Sequence, residues 1–201
     1  MNRNLFNPDS QNNSTTQKVV AGLARISEAF KSLLWEKAKQ LGLSPIQIQI
    51  LIFVAYHKSE FCTTTYLAKE FNVTKPTISD AVKVLHHKKL VLKDYSGVDS
   101  RSFFVTLTHK GKEVVSQTED FANGIEQQLE GMDPQLTESL FKQLSALIFS
   151  LHRGGILEVQ RTCYGCRFYD RNQTGHFCNL LEKPLNDADI RLDCPEFKQA
   201  G

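Results

Sequence analysis

Apolar residues recur near the start of the chain at Val19, Leu23, Ile26, Phe30, Leu33 or Leu34, Ala38 and Leu41. Steps of three and four place them on one face, so the spacing predicts one long amphipathic helix that ends at Gly42. LSPIQIQILIFVAYHK (residues 43–58) opens a second helix. Ser44 stands at its N-cap, Pro45 at its first position, and Gln47 completes a capping box. The core face of that helix is Ile46, Ile50, Leu51, Val54 and Ala55. Residues 63–90, TTTYLAKEFNVTKPTISDAVKVLHHKKL, read as two short helices about a tight turn. Thr63 and Thr74 cap them, and Leu67, Ala68 and Phe71 pack the first, Ile78, Val82 and Leu85 the second. Asn72 occupies the turn, where a residue tolerant of left-handed backbone is required.

The period then changes from 3.6 to 2. VLKDY and SFFVTLT read as strands joined by SGVDSR, a β-hairpin with a charged tip. Thr108 caps a further helix carrying Val115, Phe121, Ile125 and Leu129, which GMDPQ ends. Asp133 and Pro134 begin a last helix with the stripe Leu136, Leu140, Leu144, Leu147, Ile148 and Leu151, stopped by Gly154 and Gly155. The expected fold is mainly α: a winged helix-turn-helix with long flanking helices, followed by a small cysteine-rich module. The flanking helices carry more apolar surface than so small a domain covers, which points to a homodimer.

Residues 1–16 are rich in Asn, Ser, Thr and Gln and are expected to form a disordered arm. Residues 17–153 form the winged-helix and dimerisation domain, 154–160 a linker and 161–201 the cysteine module. The arm has no apolar core of a secretory signal, and no apolar run approaches the ~20 residues that span a bilayer. A cytoplasmic protein with no membrane partner is expected, in a reducing compartment where clustered cysteines are more often metal ligands than disulfides.

Charge sharpens the picture. Residues 62–112 carry nine Lys or Arg against four Asp or Glu, whereas residues 113–160 carry two against eight. One basic surface suited to a polyanion lies beside an acidic helical block. On the second helix of the turn motif, Thr74 caps and Lys75, Thr77, Ser79, Asp80 and Lys83 are the early exposed residues. Short hydroxyls and lysines at that place suit phosphates and base edges of double-stranded DNA in the major groove. Such a face alone is more often only solvated. The adjoining turn, and a hairpin with Arg101 at its tip beside a minor groove, make it a DNA reader.

DSRSFFVTLTHKG (Asp99 to Gly111) resembles the wing signature of MarR-type transcription regulators, in which Asp-x-Arg precedes a strand ending in Leu-Thr-x-x-Gly. YLAKEFNVTKPTISDAVKVLHHKKLV resembles that family's paired helices, and the similarity covers about residues 18–153. The resemblance implies that Arg101 binds DNA, that Asp99 helps fix the wing, and that the first and last two helices form a dimer on a pseudopalindromic operator. Lys89 stands where the family often has Gly after the recognition helix, and Asn72 replaces the usual turn Gly. Phe30, Trp35, Phe53, Tyr56 and His57 fall where the family often has an effector cleft. Aromatics at helical spacing are more often core, so no small-molecule effector is assigned to them.

The tail carries Cys163, Cys166, Cys178 and Cys194, four of the five cysteines, spaced Cys-x2-Cys-x11-Cys-x15-Cys. The segment has no helix-sized apolar stripe and needs a staple to fold. Zn2+ usually takes two Cys-x2-Cys knuckles, and only Cys163/Cys166 forms one. Two isolated cysteines suit an iron–sulfur cluster of the 4Fe-4S type, which offers a separate iron at each corner. The texture CYGCRFY…GHFCNLLEKPL…LDCPEF also resembles high-potential iron–sulfur proteins. Both a cluster and Zn2+ remain open from spacing. His176 is expected to stand near the site without ligating.

The function expected is a sequence-specific DNA-binding transcription regulator whose module either senses metal or redox state and so controls DNA binding, or serves only as a structural staple. The competing class is an iron–sulfur redox or electron-transfer protein that uses the winged helix for docking. Against an enzyme, the sequence has no nucleotide loop, no partnered catalytic base and no open-site zinc motif.

Overall fold

The computed structural model describes residues 7–11, 14–96, 103–172 and 175–200. A one-turn helix, α1 (Pro8–Gln11), precedes α2 (Thr15–Leu41). Both reach into the stretch expected to be disordered. Ser14 caps α2, its carbonyl accepting the Lys18 N–H at 3.1 Å, so the helix extends beyond the apolar pattern that begins at Val19. Gly42, at φ 61°, ends it with its N–H on the Ala38 and Lys39 carbonyls. The chain then turns by 93° into α3 (Pro45–Tyr56). The capping box forms as its spacing predicts, with Gln47 Oε1 accepting the Ser44 N–H at 2.9 Å. Among the described residues no single helix is long and apolar enough to cross a membrane.

Helices α4 (Thr64–Glu70) and α5 (Lys75–His87) form the helix–turn–helix. Thr63 and Thr74 accept the Tyr66 and Thr77 N–H groups at 3.2 and 3.3 Å, and Asn72 takes φ 53° in the turn. Strands β1 (Val91–Asp94) and β2 (Phe104–Leu107) pair antiparallel, with Val91 opposite Leu107. The wing is pinned to the body by the Val105 N–H on the Cys62 carbonyl at 2.8 Å. The segment before α4 is a 3-10 turn (Ser59–Phe61). Cys62 is fully buried after it. Burial pushes its thiol up to about 11, so it behaves as a small hydrophobe. Ile50, Leu51, Leu67, Ile78, Val82, Leu85, Val91 and Val105 form the core that holds α3, α4, α5 and the wing together.

Two backbone positions explain local sequence. A Cβ at Gly111 would overlap the Leu90 carbonyl oxygen. The preceding Thr108 hydroxyl donates to the Lys89 and Leu90 carbonyls at 2.8 and 3.1 Å. Leu-Thr-x-x-Gly is therefore the motif that docks α6 (His109–Ser116) on the base of the wing. Lys89 sits at φ 60°, a conformation that strains a side-chain-bearing residue. Lys89→Gly is expected to stabilise the protein by about 0.5–1 kcal/mol, the strain relieved less the entropy of glycine. An unchanged or lower urea midpoint would contradict this.

The helix expected beyond Thr108 is divided into α6 and α7 (Asn123–Glu130). The break at 117–122 is set by tertiary contacts. The buried Thr118 hydroxyl turns back onto the Val114 carbonyl at 2.8 Å, Lys37 reaches the Gln117 carbonyl at 3.3 Å and pairs with Asp120 at 2.9 Å, and Tyr56 donates to Glu119. Helix α8 (Pro134–Arg153) is capped by Asp133, as expected. Beyond it, β3 (Tyr169–Asn172), β4 (Gly175–Cys178) and β5 (Lys183–Leu185) form a small antiparallel sheet. The module rests on α8 through Lys142–Asp187 at 2.7 Å and Phe149 against Tyr164.

Candidate functional site

Helix α5 buries Ile78, Ala81, Val82 and Leu85 against the core, which leaves its opposite face outward. Thr74, Lys75, Thr77, Ser79, Asp80 and Lys83 are all exposed there. The Thr74 and Thr77 hydroxyls hydrogen-bond each other at 2.8 Å, so the cap also orders the first turn of the exposed face. At the base of the wing, Lys93 lies over the Phe103 ring at 4.8 Å and Tyr95 packs against the same ring. These aromatics, absent from the expected site, stiffen the hairpin stem. Asp99 and Arg101, expected at the tip, lie outside the described residues. An outward polar helix flanked by a two-stranded hairpin is the geometry that reads a major groove and its neighbouring backbone.

Residues 41–102 match the MarR family. The S. aureus MepR–DNA complex is similar at 25% identity, over 64% of this chain and 94% of that one, with a TM-score of 0.56. The fold is MarR-like. MepR in its DNA-binding conformation, at 24% identity over 66% of this chain and 98% of that one, superimposes with a TM-score of 0.59. A MarR protein from Peptoclostridium difficile, at 21% identity over 68% and 88%, does so at 0.60. No curated protein matches the chain.

Two apolar surfaces of the MarR-like fold are left outward in the protomer. On α2, Val19, Val20, Ile26, Phe30 and Trp35 are exposed, and only Leu34 and Ala38 are buried. On α8, Leu136, Leu140 and Leu147 are exposed, and Ser145 alone is buried among the described residues of that helix. The aromatic set noted in the sequence does not form one cleft. Phe30 and Trp35 line an open cavity of about 710 Å3 with Phe121, whereas Phe53 is buried and stacks on His57 at 3.7 Å.

The four tail cysteines come together. Cys163 opens a 3-10 turn (Cys163–Gly165), Cys166 follows it, Cys178 ends β4 and Cys194 lies in the last loop, and all four line one cavity of about 50 Å3. All are free thiols of intermediate burial. Burial pushes the Cys163 thiol up. The Arg191 N–H, donating to its Sγ at 3.3 Å, works the other way, and the Cys194, Cys166 and Cys178 thiols add to the rise. Among the described residues no group of three or more His, Cys, Asp or Glu side chains is arranged about a single metal ion. His176 is held by the Tyr169 hydroxyl at 2.6 Å and Asp187 at 3.0 Å, which occupies both ring nitrogens in the sheet.

The residue that joins the module to the helix–turn–helix escaped the sequence reading. Arg161 is 5% exposed. Its Nε and Nη2 donate to Asp193 at 2.6 and 2.8 Å, and its Nη1 and Nη2 to Glu70 of α4 at 2.6 and 3.2 Å. Nη1 also donates to the Tyr66 hydroxyl at 2.8 Å, and the guanidinium lies over the Phe53 ring. His57 places Nδ1 on the Phe53 carbonyl at 2.8 Å and Nε2 on Asp193 at 2.9 Å. Burial works against a charged His57 ring, but the Asp193 carboxylate and the Phe53 carbonyl raise its pKa above the ordinary value. The Arg161 guanidinium, with His57 beside it, holds the Asp193 carboxyl far below its ordinary range. Asp193 precedes Cys194, so one cysteine of the cavity is tied directly to α4.

Proposed function

We propose that this chain is a sequence-specific, DNA-binding transcription regulator. It acts as a homodimer on a pseudopalindromic operator, and its C-terminal cysteine module controls that binding through metal or redox state. The observation that carries the reading is the outward polar face of α5, with Lys75, Thr77, Ser79 and Lys83 exposed beside the wing. The MarR-like fold, a DNA-bound relative and the exposed stripes of α2 and α8 support it. In this reading α5 enters the major groove, and Arg101 enters the adjacent minor groove, where the negative potential is strongest.

The reading is tested by operator titration of two variants. Arg101→Ala is expected to weaken specific binding by about 1–3 kcal/mol, and Lys75→Ala to weaken binding to all sequences while lowering the salt dependence by about one ion. Wild-type affinity in the Arg101→Ala protein would remove the wing from the interface.

A further inference from the structure

Four half-buried thiols from three stretches of the chain border one cavity, whose other walls include Phe168, Leu180, Leu181 and Leu185 beside Asp189, Arg191 and Glu196. We propose that Cys163, Cys166, Cys178 and Cys194 ligate a cubane iron–sulfur cluster, one thiolate to each iron. The assignment rests on reading the four cysteines as one site and is independent of DNA binding.

Geometry separates this from zinc. A tetrahedral zinc ion holds sulfur at about 2.3 Å, so its four sulfurs stand within roughly 3.8 Å of one another and leave no cavity among them. The four cysteines here line a cavity of about 50 Å3 together with eight other residues, and among the described residues no three are arranged about a single ion. A cubane occupies volume of its own and presents an iron at each corner, so its thiolates stand apart around it. The main chain already fixes each ligand. The Cys166 N–H bonds the Cys163 carbonyl at 2.9 Å, the Cys194 N–H bonds the Arg161 carbonyl at 3.1 Å, and Cys166 bridges to Gln199. Cys178 is paired on both sides, to Tyr169 and to Lys183. The Arg191 N–H on Cys163 Sγ is a backbone-to-sulfur bond of the kind that sets a cluster's potential. Of the apolar walls Leu185 is buried and Leu180 and Leu181 are half-exposed, and ligation releases the thiol protons to solvent.

The experiment is anaerobic reconstitution of the full-length, thiol-reduced protein with ferrous and ferric iron in equal amounts and sulfide, and in parallel with zinc alone. About four irons and four sulfides per chain are expected, with a broad visible absorption that bleaches on reduction. Cys178→Ser should retain less than about one iron per chain, because one corner of the cube loses its ligand. Sedimentation and DNA titration of the same samples report whether the variant is folded. One equivalent of zinc with no uptake of iron and sulfide would overturn the assignment in favour of a zinc knot, and uptake of neither would overturn the site. DNA binding without cluster uptake would defeat this inference alone, and cluster uptake without DNA binding would defeat the regulator reading alone.

Discussion

In an Arg161→Met protein, the cysteine module is expected to come away from the helix–turn–helix, with a loss of about 3 kcal/mol from the interface between them. Methionine keeps the apolar stem over the Phe53 ring and removes the charge. Glu70 and Asp193 would then lose their shared cation, with His57 left beside Asp193 among the described residues. Breaking a buried ion pair by removing one partner costs about 3–5 kcal/mol, because an uncompensated charge is left behind. The lower end applies because the Asp193 side chain is 46% exposed and water screens it. Hydrogen exchange across residues 161–199 and proteolysis at residues 154–160 should both accelerate, while the core of α3, α4 and α5 stays protected. Adding Glu70→Gln to Arg161→Met should recover part of the loss, since it removes one stranded carboxylate. Unchanged exchange in Arg161→Met would show that the module is held by other contacts.

Replacing Leu140 and Leu147 together with Asp is expected to give a folded monomer that binds operator roughly 100-fold or more weakly. Both leucines are outward in the protomer, at 38% and 37% exposure, on a helix whose described residues bury only Ser145. Full burial of a leucine contributes about 1.5–3 kcal/mol, and two-fold symmetry counts each one twice. The aspartates add charge to an apolar contact, so the dimer loses more than burial alone. The protomer core lies elsewhere, around Ile50, Leu67, Ile78 and Leu85, and thermal unfolding of each protomer should change little. A variant that sediments as a dimer would mean that these stripes serve another contact.

The elements that carried their own local signals were legible. Ser44 with Gln47, Thr63, Thr74, Thr108 and Asp133 all cap the helices they precede, because a short oxygen-bearing side chain before an apolar period has one use. Asn72 and the wing strands followed for the same reason. The break at 117–122 was illegible because Val114, Phe121 and Ile125 keep helical spacing through it. Lys37, Tyr56 and Thr118 divide the helix, the first two from elements distant in sequence. The sheet of the module had no period to read, since each strand has only three or four residues. Arg161 gave no signal at all: a lone arginine after a linker acquires its role only when Tyr66 and Glu70 of α4 and Asp193 of the last loop arrive from two other places. The spacing of the cysteines pointed to one site. Their shared cavity, which bears on the kind of ligand, needed the fold.

The central claim is that α5 and the wing read DNA sequence as a pair of half-sites. Its most direct test is titration of the dimer against a pseudopalindromic operator, recovered by selection from random duplexes, and against the same bases scrambled, across a salt series. The account predicts tighter binding to the operator by about 1,000-fold or more, half-sites about one helical turn apart, and affinity that falls steeply as salt rises. Equal affinity for operator and scrambled duplex, or no binding to either, would contradict it.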